Sequence, residues 1–97
     1  MRRDLTIAKL KEHEAELKQL GVEHLYLFGS AGRDEARNDS DVDLFFDHPE
    51  GSLALFELMD IKDAAERILG CKTDIMTRRR LHRILRPQIE ASAEQVF

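Results

Sequence analysis

An α/β fold with a small mixed sheet, three-stranded or slightly larger and flanked by helices, is what this 97-residue sequence predicts. Three observations carry that expectation. Short apolar runs at 24–28, 42–46 and 72–76 have the length and composition of strands. Amphipathic stretches with apolar residues three and four apart lie between them, and glycine or polar breakers stand at the joints.

Ile7, Leu10, Leu17 and Leu20 recur at helical spacing with Lys9, Lys11, Glu12, Glu16 and Lys18 among them, so a first helix is expected over residues 4–20. Gly21 is its stop. His24 to Phe28 is a short apolar, aromatic run that enters a tight turn at Gly29 and Ser30, and a short helix is expected over 31–36. Polar residues 37–41 feed a second strand over 42–46, ended by the breakers of 48–52. Leu55, Leu58, Ile61, Ala65 and Ile68 mark the next helix, opened by Ser52 and closed by Gly70. Residues 72–76 make the third strand. Thr77 is placed to cap a short basic helix through Leu85, and Pro87 to start a last helix toward Val96. Tyr26 and Phe28 read as strand core, and Val96 and Phe97 must pack on this domain or on a partner.

One domain over 1–97 is expected at this length, with 42 % apolar residues to fill a single core. Cys71 is the sole cysteine, so no internal disulfide forms, and neither His13, His24, His48, His82 nor Cys71 has the spacing of a zinc site. No apolar stretch has membrane-spanning or secretory-signal length, which points to a cytoplasmic setting. The net charge of −4 is uneven: residues 1–70 hold 16 acidic and 9 basic side chains, whereas 71–97 hold 3 and 6. An acidic body argues against broad contact with nucleic-acid backbone. The basic run Arg78, Arg79, Arg80, Arg83 and Arg86 reads as a charged helix face or as a docking surface for an acidic partner.

The chemistry is concentrated in carboxylates. Asp41 and Asp43 stand two apart on a strand, so both side chains leave the same face. Such a pair is costly unless a cation lies between, and oxygen-only ligation suits Mg²⁺ or Mn²⁺ with substrate phosphates. Gly29 and Ser30, after an apolar strand and before a helix, suit phosphate approach to the backbone. Glycine, serine, ten residues, then two alternate aspartates is a pattern expected by chance in on the order of one in a thousand such chains. Asp74 lies mid-strand. If its strand neighbours the second, three carboxylates converge in a two-metal arrangement for phosphoryl chemistry. Arg33 and Arg37 have forked donors within reach of triphosphate oxygens.

Gly29-Ser30, Arg33, Arg37, Ser40-Asp41-Val42-Asp43-Leu44 and Lys72-Thr73-Asp74 together resemble the minimal nucleotidyltransferases, relatives of the polymerase-β palm. The resemblance spans nearly the whole chain. It implies the nucleotidyltransferase fold and an antitoxin paired with an all-helical HEPN ribonuclease toxin in a hetero-oligomer. The implied activity is transfer of AMP from ATP to a tyrosine hydroxyl of that toxin, with two Mg²⁺ ions and no direct nucleic-acid or membrane partner. Asp41 and Asp43 would bind both metals, Asp74 would hold one and activate the attacking hydroxyl, and Gly29, Ser30, Arg33, Arg37 and Ser40 would bind the nucleotide. Ala31 stands where many relatives have a basic residue and Asp34 where glycine is frequent, which implies a weaker triphosphate grip. Silencing by occlusion without catalysis, and nucleotidylation of a small molecule, are the alternative functions.

Overall fold

A computed structural model describes residues 3–28, 42–49, 55–81 and 83–97. Its sheet is built around β2 (Val42–Asp47), with β1 (His24–Phe28) antiparallel on one side and β3 (Thr73–Thr77) parallel on the other. A fourth strand, β4 (Glu94–Gln95), lines the outer edge of β1 and completes the order β3-β2-β1-β4. The expected helix 31–36 and the Ser52 cap lie outside the described residues.

The first helix differs from expectation. It is two helices, α1 (Arg3–Glu12) and α2 (Glu14–Gln19), separated at His13. The cause is local competition: the His13 ring Nδ1 donates to the Lys9 carbonyl at 3.0 Å, the acceptor that its own backbone would use in an unbroken helix. The His13 N–H goes to Leu10 instead, one residue short of the α pattern. Gly21 ends α2 as expected, at φ +112°, where a side chain would be strained. The N–H groups of Gly21 and Val22 return to the carbonyls of Lys18 and Leu17, the paired bonds of a Schellman cap.

Because β2 and β3 are parallel, the chain must cross back between them, and α3 (Leu55–Leu69) does so. Ile61, Ala64, Ala65 and Leu69 form its buried stripe. They meet Leu10 and Leu17 from α1 and α2, and Leu25, Leu27, Val42, Leu44, Phe46 and Ile75 from the sheet, in one core. Gly70, at φ +70°, closes α3 with its N–H on the Glu66 carbonyl.

Two further corrections concern the end of the chain. The basic helix expected from Thr77 to Leu85 is one 3₁₀ turn, Arg78–Arg80, and Thr77 makes no side-chain cap bond to it. The last helix, α4 (Arg86–Ser92), has Pro87 in its first turn as expected but stops well before Val96. Ala93 turns extended and β4 follows, so Val96 is buried in this chain's own core with Phe97 packed beside it. The Val96 N–H donates to the Leu25 carbonyl at 2.7 Å and the Leu25 N–H to the Phe97 carbonyl at 3.2 Å, and these two bonds hold that docking. No described helix is long and apolar enough to cross a membrane.

Candidate active site

Alternation along β2 decides where the chemistry lies. Val42, Leu44 and Phe46 join the core, so Asp43, Phe45 and Asp47 project from the opposite face. On β3 the core takes Ile75, leaving Asp74 and Met76 on that same second face. The parallel register makes Asp43 the direct partner of Asp74, and the antiparallel register on the other side makes Phe28 its partner on β1. Asp43 and Asp74 thus stand side by side on strands about 4.8 Å apart, the juxtaposition expected from the sequence. Asp43 is only 7 % exposed, whereas Asp74 is half-buried.

The start of β3 is tied down beside them. Glu66, in the last turn of α3, accepts the backbone N–H of Thr73 through Oε2 at 3.0 Å. The Thr73 hydroxyl donates to the Cys71 carbonyl at 3.2 Å. Together these bonds set where β3 begins, and hence that Asp74 rather than Thr73 or Ile75 shares a face with Asp43. Sequence reasoning missed Glu66, whose one signal is its place a turn before Gly70.

The far end of the same face is a cation clamp. Arg78 donates from Nε and Nη2 to the two carboxylate oxygens of Asp47 at 2.7 and 3.0 Å, and from Nη1 to Glu90 of α4 at 2.6 Å. Its guanidinium covers the rings of Tyr26 and Phe45, 4.8 and 5.0 Å from their centroids. The Asp47 bond above all, with Glu90 adding and burial opposing, holds the Arg78 pKa above the ordinary arginine value. Tyr26 stacks on Phe45 at 4.8 Å and Phe28 tilts against it at 5.6 Å. Sequence reasoning placed Tyr26 and Phe28 in the strand core, but they lie outside the main core cluster. They line the second face between clamp and carboxylates, because Leu25 and Leu27 take the core positions on β1.

The basic run is accordingly divided. Arg78 is turned inward, Arg86 bonds the Arg79 carbonyl at 2.9 Å, and Arg79, Arg80 and Arg83 are exposed. His13 breaks a helix, His48 bonds the Pro49 carbonyl and His24 is exposed, so these three histidines form no metal set. Among the described residues no group of three or more His, Cys, Asp or Glu side chains gathers to hold a metal. Asp41, the expected third carboxylate, lies outside those residues, as do Gly29, Ser30, Arg33, Arg37 and Ser40.

The donor set nonetheless suits a hard divalent cation. Asp43 and Asp74 offer only oxygen, from neighbouring strands and one face, and no described side chain bonds Asp74. That is the chemistry Mg²⁺ prefers, with its other positions left to water and phosphate.

A model of the nucleotidyltransferase domain family matches residues 10–95. A Methanocaldococcus jannaschii protein that carries a protein adenylyltransferase name, MJ1217, is 30 % identical over 87 residues, 89 % of this chain and 85 % of its own length. Protein adenylyltransferase MntA of Thermococcus cleftensis is 35 % identical over 68 residues, 69 % of this chain and 68 % of its own. A solved minimal nucleotidyltransferase structure superposes with a TM-score of 0.66 at 33 % identity, covering 91 % of this chain and 93 % of that one. The structure of a tri-AMPylated Shewanella oneidensis HEPN toxin in complex with MNT antitoxin holds a chain with the same fold. Its TM-score is 0.66 at 16 % identity, covering 99 % of this chain and 72 % of that one. Because the family model spans most of the chain and relatives of 30 % identity or more align along its length, this chain belongs to the nucleotidyltransferase domain family and is of the nucleotidyltransferase class of enzyme.

Proposed function

We propose that the chain transfers AMP from ATP to a tyrosine hydroxyl of a helical HEPN-type ribonuclease toxin, and so acts as that toxin's antitoxin. The observation that carries this is the direct pairing of Asp43 with Asp74 on the sheet face away from the main core. Relatives named as protein adenylyltransferases, and a fold shared with a chain in complexes of MNT antitoxin and AMPylated HEPN toxin, support the choice of acceptor.

In this reading Asp41, Asp43 and Asp74 hold Mg²⁺, most simply two ions. Bound there, Mg²⁺ would neutralise charge on the triphosphate and stabilise the departing pyrophosphate. Gly29 and Ser30 donate hydrogen bonds to the phosphates, with the forked donors of Arg33 and Arg37 and the hydroxyl of Ser40 completing the grip. A carboxylate oxygen of Asp74 takes the proton of the attacking hydroxyl. The bond from the deprotonated tyrosine oxygen to the α-phosphorus forms as the bond from the α-phosphorus to the oxygen bridging to the β-phosphorus breaks, and pyrophosphate leaves. Most of the rate enhancement comes from positioning, because the side chains hold both reactants in line.

Intact mass of the toxin after incubation with this protein, ATP and Mg²⁺ tests the reading, alongside an RNA-cleavage assay of the separated toxin. The expected result is a gain of one or more AMP groups and loss of cleavage with wild type, and neither with Asp74→Asn although the two proteins still bind. A toxin silenced with unchanged mass, or silenced equally by Asp74→Asn, would assign the protein to occlusion instead.

A further inference from the structure

The end of the sheet opposite the carboxylates carries two exposed apolar patches of opposite charge. One is the first half of α3, where Leu55, Phe56 and Met59 are 66 %, 78 % and 51 % exposed. Asp60 and Asp63 are exposed on the same helical stripe, four and seven residues after Phe56. The other follows β3, where Ile84 and Leu85 are 78 % and 42 % exposed beside Arg79, Arg80 and Arg83. Among the described residues none of those three arginines has a carboxylate partner, whereas Arg78 has two, Asp47 and Glu90.

Topology puts both patches at one end of the molecule. β2 and β3 finish level, with Phe46 paired to Thr77. The crossover helix α3 must begin where β2 ends, and the arginine turn begins where β3 ends. A cavity of about 180 Å³ opens at this same end, walled by Phe46, His48, Pro49, Thr77 and Arg79 among others, with room for one aromatic ring. Exposed apolar surface mixed with arginine is typical of protein interfaces rather than of nucleic-acid sites. The turn has no Phe, Tyr or Trp on which a base could stack.

We infer that this end is a self-association surface, in which the acidic apolar stripe of α3 in one copy docks on the basic apolar turn of a second copy. Phe56 of each copy enters the cavity of the other, and Asp60 and Asp63 face Arg79, Arg80 and Arg83. Both halves of the contact are present on one chain and at one end, so a two-fold axis satisfies them twice and closes a dimer instead of propagating a filament. Paired charges at the rim make the dimer weaken as salt rises. The surface lies at the opposite end of β2 and β3 from Asp43 and Asp74, so the inference does not depend on the proposed reaction.

Sedimentation of the purified chain from micromolar to millimolar concentration, at low and high salt, tests it. The expected result is a concentration-dependent dimer that salt weakens, and that Phe56→Ser weakens by about tenfold or more. A variant carrying Arg79→Glu with Arg83→Glu, and another carrying Asp60→Lys with Asp63→Lys, should each be monomeric alone and should form a heterodimer when mixed. All of these changes are at exposed positions, and circular dichroism verifies that each variant folds. A wild type that stays monomeric throughout, association indifferent to these variants, or a mixture that fails to restore it would overturn the inference. A monomer whose Phe56→Ser variant instead loses affinity for the acceptor protein would also overturn it and give the patch to that partner.

Discussion

On the helix side of the sheet Leu44 and Phe46 are wholly buried against Leu10, Ile61 and Leu69, whereas one residue away along the same strand Asp43 and Asp47 project from the other side. The helix side is largely apolar, with Thr6, Thr73 and Thr77 its buried polar members, and is held by packing. The second side is held by the Arg78 fork on Asp47 and Glu90 and by the rings of Tyr26, Phe28 and Phe45, while Glu66 reaches from α3 to the Thr73 N–H to fix the start of β3. The contrast teaches how a small domain can place carboxylates together without a second layer built around them. Packing on one face secures the strands, and a few polar ties set the register that brings acids together on the other.

Breaking the helix side should have the largest effect. Leu44→Ala leaves a cavity in the centre of the core and is expected to cost about 3 kcal/mol, read as a lower denaturant midpoint with unchanged slope. For a domain of this size each kcal/mol corresponds to a fall of about 4–8 °C in melting temperature. Cutting the clamp should cost less. Arg78→Ala removes a two-pronged ion pair and its cover over Tyr26 and Phe45, with an expected loss of about 2 kcal/mol. Arg78→Lys should recover only part of that, since an ammonium cannot form the fork. A loss as large for Arg78→Ala as for Leu44→Ala would mean that the two faces are not distinguished in the way described.

The smallest stability change, about 1 kcal/mol, is expected for Glu66→Ala, because one part-buried hydrogen bond is lost. Its value is in sharpening the comparison. If Glu66 sets the register at Asp74, this variant should lower affinity for Mg²⁺ with ATP by more than Arg78→Ala does, although it costs less stability. Glu66→Gln, which keeps an acceptor, should restore most of it. Calorimetric titration checks the order.

How much of this was legible in the sequence follows the same division. The first three strands and the face shared by Asp43 and Asp74 could be read because strand alternation and apolar runs are periodic signals, and because glycines stand at the helix ends. The break at His13 could not, since it comes from one ring reaching one carbonyl. Glu94 and Gln95 are polar and only two residues long, so β4 leaves no pattern and exists because Val96 and Phe97 dock. The arginine run looked uniform. Which member turns inward depends on Asp47, 31 residues earlier in the chain, and no local spacing encodes that.

The central claim, that Asp43 and Asp74 jointly hold a metal-bound nucleotide, is tested most directly by the melting temperature of the isolated chain with and without Mg²⁺ and ATP. A ligand that binds only the folded state raises it by mass action. Wild type is expected to gain several degrees with both additives together and little with ATP alone, while Asp43→Asn and Asp74→Asn fold normally and lose the gain. An equal rise in wild type and both variants, or no rise in wild type at saturating Mg²⁺ and ATP, would contradict the claim.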